Sequence, residues 1–287
     1  MANYQFSQID VFSSTPHGGN PVAVVHGADH LTEVQMAAFA QWTNLSETTF
    51  LLTPTDPSAD YRLRIFTPSE ELPFAGHPTL GSATAWLTAG GVPRTPGYLV
   101  QECDAGLITV MLKDESILAF AAPPLARSGD VDADTLALAR QALGLSSEQV
   151  TAANWIDNGP GWLGLVLTDA TTVLSCVPDA ALFTEHDLRI GVLGTREPHT
   201  QAEGSPADVE IRAFIHMAGA VREDPVTGSL NAGFASWLIP AGSAPEHYVA
   251  AQGTAVGRDG RVNIDYDGQD IWVGGNTRVV IHGTVDF

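Results

Sequence analysis

The feature that most constrains this chain is that it repeats itself. Arg64-Ile-Phe66 returns as Arg212-Ala-Phe214, 148 positions later. A loop with paired acids follows each: Glu70 and Glu71 in the first, Glu223 and Asp224 in the second. Each loop runs to a glycine and then to small residues ending in Trp-Leu. His77 stands nine residues before Trp86, and Gly228 nine before Trp237, both pairs at an offset of 151. A weaker echo joins residues 19–25 to residues 159–166. Chance similarity among common residue types is the alternative. Features recurring in one order at nearly one offset point instead to duplication of one α/β unit.

Local patterning fills in that unit. Residues 5–12 alternate like a strand; the turn Pro-His-Gly-Gly-Asn and a second apolar run, 21–25, complete a hairpin-like pair. Thr32 with Gln35 forms a capping box opening a helix to about Thr43. Residues 47–52 and 61–66 read as strands, 67–75 as a loop, and 77–87 as a helix of small residues. Strands at about 97–101, 107–112 and 116–121 finish the first half. Residues 121–130 (AAPPLARSGD) read as a linker. In the second half, 134–143 reads as an amphipathic helix, 161–167 and 209–215 as strands, and 231–238 as a second small-residue helix. Residues 269–287 hold two apolar runs ending in strand.

Composition sets outer limits. A chain of 287 residues, 44% of them hydrophobic, can build one large core or two smaller ones. Its formal charge of −20 repels nucleic acid and anionic lipid. An anionic substrate must then be held by local donors such as backbone amides at helix N-termini. The N-terminus lacks a basic region followed by an apolar run, and no membrane-spanning apolar stretch occurs. A cytoplasmic location is the default expectation, with neither nucleic acid nor membrane as partner. The cysteines, Cys103 and Cys176, form no C-x-x-C pair and no disulfide framework.

The chemistry gathers at the repeated loops. A helix start leaves N–H groups free and carries partial positive charge. Two such starts, near Gly76 and Gly228, would clamp an anion without lysine. Close packing of core helices is the plainer reading, and both can hold. Glu47 precedes Phe50-Leu51-Leu52. A carboxylate there should be partly desolvated, which raises its pKa toward the range useful for proton transfer. A solvated strand-edge glutamate is the alternative. Asp224 before Pro225 fits a helix N-cap, and His77 before Pro78 could cap or buttress its helix.

These strings carry a resemblance. GNPVAVV (19–25), NLSETTFLL (44–52), RIFTPSEELPFAGHPTLGSA (64–83) and REDPVTGSLNAGFASWL (222–238) closely resemble the PhzF-like family, in the family's order. The resemblance implies an α+β, diaminopimelate epimerase-like fold of two pseudo-symmetric domains. Each would be a curved, mostly antiparallel sheet around a central helix, with the site in the cleft between them. The domains would be residues 1–124, joined by a terminal strand at 276–287, and residues 125–275. It further implies an isomerase that moves a proton on a small carboxylate-bearing substrate, with no cofactor and no metal. In its best-known form the family isomerises trans-2,3-dihydro-3-hydroxyanthranilate in phenazine biosynthesis. By resemblance Glu47 is the general acid/base, and His77 and Asp224 hold and polarise the substrate. Asn20, Gly76, Gly228 and Ser229 are expected to bind it, and a homodimer is expected.

Two other readings stay open: epimerisation of an amino-acid-like substrate, and a non-catalytic small-molecule binder on the same fold. The standard epimerase of this fold carries a cysteine at each central helix start. Here those places hold Ala75-Gly76-His77 and residues 225–229. The string Gly159-Pro-Gly-Trp-Leu-Gly164 matches a dinucleotide fingerprint but precedes a strand-like run, so it is set aside. Residues 130–141 fail as a calcium loop at Thr135 and Gln141. The nine histidines show no zinc-ligand spacing.

Overall fold

A buried helix of small residues needs a sheet wrapped closely about it, and the chain supplies this arrangement twice. The computed structural model describes residues 2–114, 116–197, 206–217 and 219–287. Its contacts divide the chain into two units: Met1–Ala121 with Gly274–Phe287, and Ala122–Val273. The fold is mixed α+β, rich in sheet and sparing in helix.

The first unit contains β1 (Asn3–Val11), β2 (Asn20–Val25), α1 (Glu33–Thr43), β3 (Glu47–Leu52), β4 (Tyr61–Phe66) and β5 (Glu71–Leu72). It continues through α2 (Gly76–Thr88), β6 (Tyr98–Cys103), β7 (Gly106–Leu112) and β8 (Ile117–Ala121). The second contains β9 (Arg127–Gly129), α3 (Ala133–Leu143), β10 (Val150–Asp157), β11 (Leu163–Leu167), α4 (Ala170–Ser175), α5 (Ala180–His186) and β12 (Arg189–Thr195). Then come β13 (Val209–Met217), β14 (Ala220–Asp224), α6 (Gly228–Leu238), β15 (His247–Gln252) and β16 (Gly260–Tyr266). The last strand, β17 (Ile271–Asp286), begins in the second unit and ends in the first.

In the first unit, β1 pairs antiparallel with β2, β2 parallel with β3, β3 antiparallel with β4, and β4 parallel with β6. Antiparallel pairs β6–β7 and β7–β8 follow. Strand β17 then pairs with both β8 and β1, so the sheet closes on itself. Helix α2 packs against β1, β2, β3, β4, β6 and β8. A helix so enclosed must be narrow: a Cβ on Gly81 would lie 2.3 Å from Val22 Cγ1. Its polar side chains pair inside the ring, Ser82 with Thr49 at 2.8 Å and Thr84 with Thr277 at 2.7 Å.

The second unit runs through the same succession. Pairs β10–β11 (antiparallel), β11–β12 (parallel), β12–β13 (antiparallel), β13–β15 (parallel) and β15–β16 (antiparallel) follow in order. Helix α6 packs on β10 and β16. A Cβ on Gly233 would stand 2.6 Å from the Ile156 carbonyl oxygen, so this helix too depends on a missing side chain.

The repeated Arg-x-Phe strings prove to be repeated devices. Arg64 binds Glu71 through Nε and Nη2 at 2.6 and 2.5 Å, and lies over the Phe66 ring. Arg212 binds Glu223 through the same atoms at 3.0 and 2.7 Å, and lies over Phe214. Phe66 opposes Glu71, and Phe214 opposes Glu223. Each fork therefore staples the hairpin that leads into a central helix.

Several expectations about local structure change. The loop at 67–75 contains β5, and the linker at 121–130 contains β9. The two terminal apolar runs form one strand of 16 residues. Strands β10, β12, β15 and β16 were not anticipated. The capping box at Thr32 and Gln35 forms as read. Among the described residues, no helix is long and apolar enough to cross a membrane.

The two forks differ in burial. Arg212 and Glu223 are 7% and 9% exposed; Arg64 and Glu71 are 19% and 22% exposed. Removing one partner of a buried pair strands the other charge, at about 3 kcal/mol. The more exposed pair should cost about 1 kcal/mol. Glu223→Ala is therefore expected to lower the urea midpoint clearly more than Glu71→Ala. Equal losses would show that the buried fork holds no special share of stability.

Candidate active site

Three of the residues singled out by the sequence meet in the first unit. Glu47 opens β3, a strand with neighbours on both sides, so it is not an edge residue. Its side chain is 13% exposed, and Oε2 lies 3.1 Å from His77 Nε2. His77 is the second residue of α2, which begins at Gly76; it is neither a cap nor placed before the first helical residue. Asn20 opens β2, is fully buried, and brings Nδ2 to 3.5 Å from His77 Nδ1.

These contacts decide how the imidazole is protonated. Burial deprives an imidazolium of water and pushes the His77 pKa down to about 3, so the ring is neutral. The Asn20 amide nitrogen only donates, so the ring hydrogen sits on Nε2, the nitrogen nearer Glu47. Nδ1 is then the acceptor, matched by the amide hydrogens of Asn20. The result is a neutral ring beside Glu47, not a second positive charge; Nε2 and Oε2 stand 3.1 Å apart without the geometry of a hydrogen bond.

The support extends further back. The Gly19 amide donates to both oxygens of buried Asp10, at 3.1 and 3.2 Å. A Cβ at Gly19 would fall 2.1 Å from the Val11 carbonyl oxygen, so only glycine lets the turn approach β1 this closely. Asp10 thereby pins the residue before Asn20. The sequence reading missed Asp10, which lies before the Gly-Asn-Pro string.

The second unit holds the other group. Asp224 ends β14, and the N-cap position of α6 is Thr227, so Asp224 is not the cap. Thr227 Oγ1 donates to Asp224 Oδ2 at 2.5 Å. Gly228 is buried at the first position of α6, as Gly76 is in α2. Ser229 Oγ accepts from Trp162 Nε1 at 3.0 Å, which leaves its own hydrogen to donate. Asn158 Nδ2 donates to the Ser229 carbonyl oxygen at 2.9 Å. Asp157 accepts from the Gly159 and Gly161 amides, making a rigid turn of the string set aside as a false dinucleotide motif. Gly159 and Gly161 serve positive φ values, and Trp162 fastens the turn to α6. The described structure thus gathers Glu47, His77 and Asn20 in one unit, and Asp224, Gly228 and Ser229 in the other.

The cysteines offer no alternative acid/base pair. Both are buried and free. Burial pushes the Cys103 thiol up and the Cys176 thiol up to about 11, far from the thiolate form. No cluster of metal-ligating residues occurs among the described residues.

Residues 9–285 match the family model described as phenazine biosynthesis-like protein. The chain is 35% identical to antisense-enhancing sequence 1 of Schizosaccharomyces pombe, covering 99% of each. It is 37% identical to the trans-2,3-dihydro-3-hydroxyanthranilate isomerase of Pseudomonas fluorescens over 80% of this chain and 77% of that one. Among solved structures, a PhzF family protein of Enterococcus faecalis superposes with a TM-score of 0.79 at 25% identity, covering 100% of both chains. A hydroxyproline epimerase of Agrobacterium vitis gives 0.57 at 13% identity, over 99% of this chain and 92% of that one; this likeness concerns the fold alone.

The His77 assignment fixes a pH dependence. Unfolded histidine titrates near 6.5, whereas folded His77 resists protonation down to about 3. Between those values the unfolded state binds the extra proton, so stability falls as pH falls. The slope is at most about 1.4 kcal/mol per pH unit. Urea unfolding at pH 7.5 and 5.0 should show a smaller acid loss in His77→Gln than in wild type. An equal loss would mean that His77 is protonated in the folded chain.

Proposed function

The chain belongs to the phenazine biosynthesis-like protein family and is an isomerase, and from that premise we propose that it moves a proton on a small carboxylate-bearing substrate of the trans-2,3-dihydro-3-hydroxyanthranilate type. Glu47 takes the proton from carbon and returns it to another carbon. The observation that carries this reading is a neutral, buried His77 ring whose Nε2 lies 3.1 Å from a largely buried Glu47 carboxylate. An imidazolium there would quench the base, whereas a neutral ring leaves it its charge. Proton transfer between carbons is redox-neutral, so the reading asks for no cofactor.

Asp224 is assigned to the substrate's polar groups, and the amides near Gly76, Gly228 and Ser229 to its carboxylate. Such fixed donors suit a chain whose overall charge opposes an anion. The repeated succession of strand pairings, each with one buried helix, supports reading the units as copies of one diaminopimelate epimerase-like ancestor. The perturbed, buried thiols count against two-thiol epimerisation.

The test is incubation with trans-2,3-dihydro-3-hydroxyanthranilate in heavy water, followed by NMR, for wild type and Glu47→Gln. Wild type should form an isomer with its proton relocated. Glu47→Gln should lose on the order of 10²–10⁴-fold in rate. A fully active Glu47→Gln would remove Glu47 from the reaction. A folded wild type without turnover would retire this substrate.

A further inference from the structure

Gln252 belongs to none of the motif strings, yet it is fully buried against the start of α6. Four hydrogen bonds use both ends of its side chain. Oε1 accepts from the Thr227 backbone N–H at 3.0 Å and from Asn231 Nδ2 at 2.9 Å. Nε2 donates to the Asp224 carbonyl oxygen at 3.1 Å and to Thr227 Oγ1 at 2.9 Å. The orientation is compulsory, because the Thr227 N–H can only donate and the Asp224 carbonyl can only accept.

The close fit is built into the backbone. Gly253, at φ +93°, would place a Cβ 2.6 Å from the Pro225 carbonyl oxygen. A Cβ on Gly260 would meet Val226 Cγ2 at 2.4 Å and the Gln252 carbonyl oxygen at 2.6 Å. The end of β15 is thus pressed onto residues 224–227.

One consequence is directional. Thr227 Oγ1 already accepts from Gln252, so its single hydrogen goes to Asp224 Oδ2, 2.5 Å away. We propose that Gln252 is a positioning residue which, by fixing the direction of the Thr227 hydroxyl, holds Asp224 ionised and in one rotamer. The proposal rests on the reading that gives Asp224 a substrate-facing role. Gln252→Glu reverses the chain: the Thr227 hydroxyl turns to the new carboxylate, and Asp224 loses the hydrogen bond from Thr227.

The experiment follows the Asp224 carboxyl by ¹³C NMR titration of the full-length protein, with Asp224→Asn to assign the signal. Wild type, Thr227→Ser, Thr227→Val, Gln252→Glu and the double variant Gln252→Glu/Thr227→Val are compared. Thr227→Val and Gln252→Glu should raise the titration midpoint by on the order of one pH unit. Thr227→Ser, which keeps the hydroxyl, should leave it in place. Gln252→Glu also adds a nearby charge, so its effect should be larger when Thr227 is present than in the Thr227→Val background. Equal effects in both backgrounds would overturn the proposal. Should Gln252→Glu fail to fold, the Thr227 pair decides, and equal titrations of Thr227→Val and Thr227→Ser would overturn it. This readout needs no turnover. An Asp224→Asn variant with full activity would retire the substrate-facing role of Asp224 while leaving the titration result standing.

Discussion

A helix enclosed by its own sheet has no solvent face on which to leave a polar group. Everything around α2 and α6 follows from that condition. The residues must be small, because side chains such as Val22 and Ile156 already occupy the space a Cβ would need. The hydroxyls must find partners inside, as Ser82 and Thr84 do. The first turns must also be anchored, because helix N–H groups at that end lack partners within the helix. Gln252 holds the N-cap backbone of α6 and Trp162 the Ser229 side chain, while among the described residues no side chain caps the first-turn N–H groups, and His77 with Asn20 flank the start of α2.

The electrostatics rest on neutrality as much as on charge. A chain with a formal charge of −20 would be expected to answer a buried glutamate with arginine. Its buried arginine forks are spent elsewhere, closing the β4–β5 and β13–β14 hairpins. Glu47 faces a neutral ring instead. An arginine would stabilise the carboxylate so strongly that it would resist taking a proton. The neutral ring adds no positive charge beside the carboxylate.

Much of this was legible in the residues. Glu47, His77 and Asp224 sit in compact local strings, and the repeat of Arg64-Ile-Phe66 at Arg212 marked corresponding hairpins. Helix α1 was legible because its capping box involves neighbours three residues apart. The supporting residues were not. Gln252 reaches back 25 positions to Thr227, and Trp162 reaches 67 forward to Ser229. Nothing local distinguishes a glutamine that closes a network from one facing water. Strands β12 and β15 escaped because glycine and alanine interrupt their apolar residues, and a strand buried on both faces shows no alternation.

The ring of the first unit has one further consequence, for the order in which the chain becomes structured. Strand β1 pairs with β17, so Asn3 meets Asp286. The second unit, by contrast, is a continuous stretch, Ala122–Val273. A ribosome making this protein releases the whole second unit before it releases the strand that closes the first. The usual sequence of synthesis, N-terminal part first, is inverted here. The segment carrying Asn20, Glu47 and His77 waits, with a strand edge unpaired, for Gly274–Phe287. Loss of the end of β17 would therefore be felt first at β1, 283 positions away at the Asn3–Asp286 pair.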